Sequence, residues 1–450
     1  MSTDDPKESS VHTKSSLWGW VDSRLKLGSV RHLLLDEPIP GGASWVYVFG
    51  SITLFFFVLQ LVTGILLTVY YAPTPDHAYD SVQYIEHQVT FGWFIRGLHH
   101  WGASAMVVAI GLHMLQVYLY GAYKPPRELM WMAGVALFLL VLMFAFTGYL
   151  LPWDQKAYWA TQVGTNMIGT VPFVGDWLVK IARGGTELGA LTLSRFFSLH
   201  ALVFPWLTVG LIGLHLFILR RVGPAGPWDE ARAKAVSEPF YPRQVFIDAV
   251  AILGAFFIVV AMAVWVPFPL ADRADPAASD FVPLPEWYFL FYYEMLRFFK
   301  GPLLEPVGTV ILPALFFALL FALPFIDRQK DRRPVKRPVA LAAGAGFLVV
   351  VFLLLGVSLR RVWSVPTMPP EVAAGKTLYE KLQCSACHRI HGEGGSFGPN
   401  LSYVGTKHDR EWLIRHFKNP QAVVPGSAMP PFDLDAPSLD ALADYLLTLK

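Results

Sequence analysis

Five of the thirteen histidines in this 450-residue chain, His99, His100, His113, His200 and His215, sit in long stretches without Asp, Glu, Lys or Arg. An ionisable residue in such surroundings is costly and marks a functional position by default. Any single one could equally be a histidine bonded to a neighbouring helix. The spacing separates the two readings. His99 and His113 lie fourteen residues apart, and His200 and His215 fifteen. On a helix either step is roughly 21–22 Å and close to four turns, so each pair falls on about one face. Two helices with histidines at matching heights can clamp two flat cofactors, one above the other. Haem with two axial imidazoles fits, each iron taking one ligand from each helix. His100 points about 100° away from His99 and is not expected to be a ligand. Glycines 50, 64, 121 and 148 would let a flat ring approach the helix backbone, although a helix-packing role explains each equally well.

The chain has two cysteines, in the run Cys384-Ser-Ala-Cys387-His388. This is the spacing of a covalent haem attachment site, with two thioether bonds and His388 as an axial ligand. A zinc site would need two further ligands at finger spacing. The same count excludes a disulfide-rich fold and any four-cysteine metal site. His391 is a competing ligand only three residues past His388, and geometry disfavours it.

These residues need elements that hold them. Hydrophobic residues make up 54% and charged residues 16% of the chain, against about 25% charged in a soluble protein, so most of the chain is expected to be solvated by lipid. Lys+Arg 36 nearly balance Asp+Glu 34, which gives nucleic-acid binding no support. Seven uncharged stretches, approximately 45–71, 97–123, 129–153, 196–219, 249–271, 306–326 and 338–359, are long enough to cross a bilayer as helices. Arg24, Lys26 and Arg31 precede the first. Arg220, Arg221, Arg232, Lys234 and Arg243 follow the fourth, and Arg328, Lys330, Arg332, Arg333, Lys336 and Arg337 lie between the sixth and seventh. The first-to-second loop holds Asp76, Asp80 and Glu86 against Arg96, and the fifth-to-sixth holds Asp272, Asp275 and Asp280 before Glu286. Basic loops stay cytoplasmic, so the N-terminus is expected inside and the C-terminus outside. Both histidine helices then run from outside to inside, which pairs His99 with His200 near the outer face and His113 with His215 near the cytoplasmic face. The halves show no internal repeat, and no polar midplane site in broken helices is evident, so a transporter has little backing.

The first sixteen residues are polar without an apolar core and read as a disordered tail rather than a signal peptide. The expected organisation is a tail over 1–17, a four-helix unit over 18–222, a three-helix unit over 223–361, a proline-containing linker over 362–370 and a small soluble domain over 371–450. The fold class is all-α: seven transmembrane helices, a four-helix bundle for two haems plus three more, followed by a small all-α domain.

Several motifs now agree in order and spacing. Arg96-Gly-Leu-His99, the step to His113, Gly-Tyr-Leu-Leu-Pro-Trp at 148–153 and Ser-Arg-Phe-Phe-Ser-Leu-His at 194–200 resemble the b-type cytochrome of cytochrome bc complexes. Pro285-Glu286-Trp287-Tyr288 resembles that family's quinol-oxidation signature, and the likeness runs from about Trp18 to Arg361. The seven spans, the fifteen-residue step and Pro-Trp-Asp-Gln at 152–155 are closer to the b6f branch, where the first four and last three helices are separate chains. That branch carries a cysteine for an extra, covalently held haem; the matching position here is Val48. Arg220, which matches a basic residue beside that haem, is present, so a non-covalent extra haem stays open. Gly398-Pro399-Asn400-Leu401 and Ala428-Met429-Pro430-Pro431 resemble a class I cytochrome c and imply Met429 as second axial ligand.

The resemblance implies a quinol:cytochrome c oxidoreductase subunit holding two haems b and one haem c, in a bacterial-type inner membrane with the c domain outside. Glu286 and Tyr288 would act on quinol, with Pro285, Trp287 and Tyr149 around it. One electron would go through a partner Rieske iron–sulfur protein to the fused c haem and on to a downstream acceptor. The other would cross the two b haems to a quinone near Asp248, in a run Phe-Tyr-Pro-Arg-Gln-Val-Phe-Ile-Asp at 240–248 that resembles the quinone-reduction edge. Proton release outside and uptake inside would build the transmembrane potential. Homodimerisation is also implied. In its own right, a carboxyl at Glu286 among aromatic residues suits a group that accepts and passes on protons; an interfacial aromatic belt would explain Trp287 and Tyr288 but not Glu286. The alternative is a di-haem membrane anchor that only relays electrons for a soluble dehydrogenase.

Overall fold

The computed structural model describes residues 17–26, 35–276, 284–363, 369–390 and 393–450. Nearly all of the expected tail, Arg31, Asp280, most of the 362–370 linker and His391 lie outside these residues.

Seven helices are long and apolar enough to cross a membrane, as the sequence predicts. They are α1 (Trp45–Thr68), α2 (Gly92–Leu119), α3 (Glu128–Tyr149), α5 (Ala190–Val222), α6 (Arg243–Trp265), α8 (Val307–Ile326) and α9 (Pro338–Trp363). Two shorter helices, α4 (Gln155–Gly169) and α7 (Trp287–Leu296), lie in the connections. Several ends differ from the uncharged stretches. The α2 helix takes in Arg96 and α6 begins at Arg243, because a long basic side chain can reach the polar interface while its backbone stays helical. Asp248 is therefore inside α6. At the other extreme α3 stops at Tyr149 rather than Trp153, since Pro152 pushes the residue before it out of helical conformation.

One local irregularity matters for the histidines. A fifteen-residue step overshoots four turns by roughly 60°. The α5 helix contains a single wide π-helical turn at Leu199–Val203 that takes up one residue. His200 and His215 thus share a face as His99 and His113 do.

The connections sort by side. Lys124 after α2 and Arg337 before α9 both bind Asp327 after α8, at 2.7 and 3.0 Å, and Arg332 donates to the carbonyls of Gly226 and Pro227 after α5. Burial pushes the Asp327 carboxyl up, but hydrogen bonds from Lys124, Tyr123 and Arg337 bring it below the usual carboxylate range. This is the basic side. On the opposite side Asp154 pairs with Arg273 across the backbone, and Arg273 forms an ion pair with Asp80. There Tyr403 of the C-terminal domain donates to Asp275 Oδ2 at 3.4 Å.

The C-terminal domain is built on α10 (Pro370–Lys381), α11 (Arg410–Lys418) and α12 (Ala436–Leu447) around Leu413, Phe417, Leu439 and Leu442. A Cβ at Gly375 would collide with the Ala441 carbonyl, so glycine is what lets α10 cross α12 backbone to backbone.

Candidate functional site

Four helices, α1, α2, α3 and α5, bring the sequence-selected histidines into two facing pairs. The rings of His99 and His200 stand 6.3 Å apart, centroid to centroid. Two metal–nitrogen bonds of about 2 Å plus the two ring radii fill such a gap. Their protonation follows from their partners. Thr63 Oγ1 donates its single hydrogen to Leu59 O at 2.7 Å, so at 2.9 Å from His99 Nδ1 it can only accept. Thr147 Oγ1 likewise donates to Met143 O and faces His200 Nδ1 at 3.0 Å. Each ring must then carry its proton on Nδ1, which leaves both Nε2 lone pairs free for a metal. His113 faces His215 nearer the basic side. Their Nδ1 atoms are buried, and among the described residues no threonine hydroxyl stands against them; the polar groups beside the rings include the Gln116 side chain for His113 and the Met130 backbone for His215.

Each histidine also faces a glycine. A Cβ placed at Gly50, Gly64, Gly134 or Gly148 would lie 3.4, 3.3, 3.5 or 2.6 Å from Cε1 of His113, His99, His215 or His200, respectively. Three of these glycines are the expected ones. Gly121 instead serves a turn at φ +58°, beside Arg337, and Gly134 takes its place. Bare backbone on both flanks and paired imidazoles between them fit a haem at each level.

On the C-domain side the upper pair opens into a cavity of about 650 Å³. Its wall includes His99 and His200 together with Tyr149, Lys156, Glu286 and Tyr288. Glu286 stands at the N-cap of α7, and its carboxylate receives the Lys156 ammonium at 2.5 Å. Burial pushes the Tyr288 phenol well above the ordinary tyrosine range, with Glu286 adding to the shift. Arg96 lines the same cavity, pairs with Glu86 at 2.7 Å and lies over the Phe268 ring. His100 stacks on Phe268 at 5.1 Å rather than facing His200. Pro285 precedes the helix cap, and Trp287 turns aside to donate to Ser104 Oγ at 3.3 Å; neither lines the cavity.

Asp248 and Arg220 are elsewhere, toward the basic side. Asp248 is buried and accepts from Ser51 Oγ at 2.7 Å and Gln244 Nε2 at 2.8 Å. Arg220 pairs with Glu37 at 3.2 Å, and Val48 is buried in the first turn of its helix.

In the C-terminal domain Cys384 and Cys387 are free thiols. His388 Nδ1 is 2.9 Å from the Pro399 carbonyl, an acceptor only, so the ring donates there and Nε2 is left open. Met429 packs against the same core cluster as Cys384. Two free thiols, a pre-oriented imidazole and a nearby thioether fit a covalently attached haem.

Sequence reasoning did not find Lys156, Thr63, Thr147 or Gly134. For Gly134 a signal exists: Gly134 and Gly148 are fourteen residues apart, as are Gly50 and Gly64, the same step as His99 to His113.

Comparison with known proteins agrees with this geometry. The family described as Cytochrome b/b6/petB matches residues 34–223, Cytochrome b(C-terminal)/b6/petD matches 273–368, and Cytochrome c matches 372–450. The cytochrome bc complex cytochrome b subunit of Chlorobaculum thiosulfatiphilum is 38% identical over 303 residues, which is 66% of this chain and 70% of that protein. Cytochrome b6 of Rippkaea orientalis is 43% identical over 215 residues, 48% of this chain and 97% of its own length. A solved structure titled hyperthermophilic respiratory Complex III superposes with a TM-score of 0.68 at 29% identity, covering 78% of this chain and 92% of its own. Matched along both its membrane helices and its C-terminal domain, the chain belongs to the cytochrome b family of cytochrome bc complexes and carries a cytochrome c domain in the same polypeptide.

Proposed function

We propose that this chain is the quinol-oxidising subunit of a quinol:cytochrome c oxidoreductase. The observation that carries the reading is the cavity that has His99 and His200 on one wall and Glu286 and Tyr288 on another. A membrane anchor that only relays electrons has no use for a carboxylate there.

In this reading His99 and His200 hold one haem b, His113 and His215 a second, and Cys384, Cys387, His388 and Met429 a haem c. The bound haems supply one-electron acceptors at two depths of the membrane and in the C-terminal domain. Quinol binds against Tyr288 and Tyr149, whose rings exclude water. Glu286 accepts a proton from the quinol hydroxyl and releases it toward the C-domain side. Asp248, held by Ser51 and Gln244, donates protons to a quinone on the basic side. The basic loops support a cytoplasmic location for that side, and in this reading the cytochrome c domain lies outside an energy-conserving inner membrane. A Rieske iron–sulfur protein takes the first electron, the complex is a homodimer, and a further acceptor discharges the c haem.

The test is purification of the complex with pyridine haemochrome analysis and quinol-dependent reduction of the c band. Two b haems and one c haem per chain are expected; a ratio of one to one refutes the paired-histidine assignment. Glu286→Gln is expected to slow quinol oxidation about 100-fold with haem content unchanged. Full activity in that variant refutes the role of Glu286.

A further inference from the structure

Lys156 is the one charged side chain in contact with Glu286 among the described residues, and its position is built rather than incidental. Asp154 caps α4 by accepting from Ala157 N at 2.8 Å and also accepts from Ala271 N at 3.0 Å. Gln155 N donates to Asp272 O at 2.8 Å, and Asp275 N donates to Gln155 Oε1 at 3.2 Å. Burial pushes the Asp154 carboxyl up even against these donors, so this anchor is held inside the protein. The first turn of α4 is thereby fixed to the 271–275 segment, and Lys156 projects from it across the cavity to Glu286. The Lys156 side chain is 34% exposed and that of Glu286 is 18% exposed, so the pair bridges the cavity wall and the solvent. The ammonium also lies 6.0 Å from the centre of the Tyr149 ring. The other groups that sense the Glu286 charge are Tyr149, Tyr288 and His100; Asp154 senses the Lys156 ammonium, and Arg96 acts on both His100 and Asp154.

We infer that Lys156 is a positioning residue for proton release from quinol: its ammonium, fixed at the start of α4, holds the Glu286 carboxylate at the cavity wall until a quinol proton displaces it. An ammonium holds a carboxylate through a charge-assisted hydrogen bond that a neutral carboxyl does not match. When the quinol O–H bond breaks and the proton moves to a Glu286 oxygen, the carboxyl becomes neutral and its attraction to Lys156 collapses. Loss of that proton to water on the exposed side restores the carboxylate and re-forms the pair. Lys156 keeps its own three protons throughout, and the electrons leave by the route proposed above. The inference rests on quinol oxidation at this cavity.

The experiment is steady-state quinol oxidation by the purified complex, with haem content measured in parallel, for the parent, Lys156→Met, Lys156→Arg, Glu286→Gln and the Lys156→Met/Glu286→Gln double variant. Lys156→Met is expected to oxidise quinol about tenfold more slowly with haem content unchanged. Lys156→Arg is expected to restore the rate. The double variant should be no slower than Glu286→Gln alone. Lys156→Gln, polar and uncharged, is expected to behave like Lys156→Met and serves if the latter does not assemble. Multiplicative losses in the double variant, a parent-like rate in Lys156→Met, or failure of arginine to rescue overturns the inference while leaving the quinol reading intact. A parent complex that does not oxidise quinol overturns both.

Discussion

The two histidine pairs share one four-helix frame and are finished differently. His99 and His200 each donate from Nδ1 to a threonine hydroxyl oxygen and look out on a cavity with an ion pair at its rim. Among the described residues no such hydroxyl meets His113 or His215, which have the Gln116 side chain and the Met130 backbone beside them instead. A shared helical frame therefore does not produce equivalent sites. The helical repeat sets where the imidazoles stand, while residues from other segments decide what each site can do. The threonines come from α1 and α3, the carboxylate from the cap of α7, and the cation from the start of α4. Chemistry on substrate protons needs those additions; passing an electron onward does not.

Substitutions can break or sharpen this contrast. His99→Leu should abolish quinol oxidation and remove half of the b-haem absorbance while the c band persists, read by reduced-minus-oxidised spectra. His113→Leu should remove the other half and leave the first turnover of quinol oxidation measurable, since the site at the cavity is intact. If His113→Leu instead empties the cavity-side pair, the assignment of levels is reversed. Gly148→Ala should cost more b haem than Gly134→Ala, because its Cβ would stand 2.6 Å from His200 Cε1 against 3.5 Å at His215; haem retention on dialysis measures the difference. Thr63→Val should be the mildest, lowering haem affinity at His99 about tenfold and shifting its midpoint potential, with His113 unaffected. Equal shifts at both levels would remove the distinction.

Much of the frame is legible in the sequence because lipid imposes it. A run of twenty uncharged residues has few structural options, and seven such runs with basic residues in alternate loops leave little freedom. The histidine pairs are legible for a related reason: a helix converts spacing into direction. Even so, the fifteen-residue step between His200 and His215 works only through the wide turn at Leu199–Val203, which nothing in the local sequence announces. Lys156 is opaque for a different reason. Its partner Glu286 lies 130 residues away in another connection, and the two meet only after α4 has been fixed to the 271–275 segment. Pairing between loops is a property of the assembled bundle. Thr63 and Thr147 were hidden because a threonine on an apolar helix ordinarily satisfies itself on the preceding turn. Both do so here, and that same bond turns their remaining lone pair toward the imidazole.

The last membrane helix ends at Trp363, and the C-terminal domain begins its first helix at Pro370. Seven residue steps separate those two points, so the domain can range no more than about 25 Å from the helix end. Such a leash turns encounter with the membrane domain from a diffusional search into an intramolecular event, at a local concentration on the order of millimolar. Dilution, ionic strength and competition from other proteins then lose most of their leverage over that meeting. Partner supply also ceases to be a variable, because every copy of the membrane domain is synthesised with its own cytochrome c at a ratio of one to one.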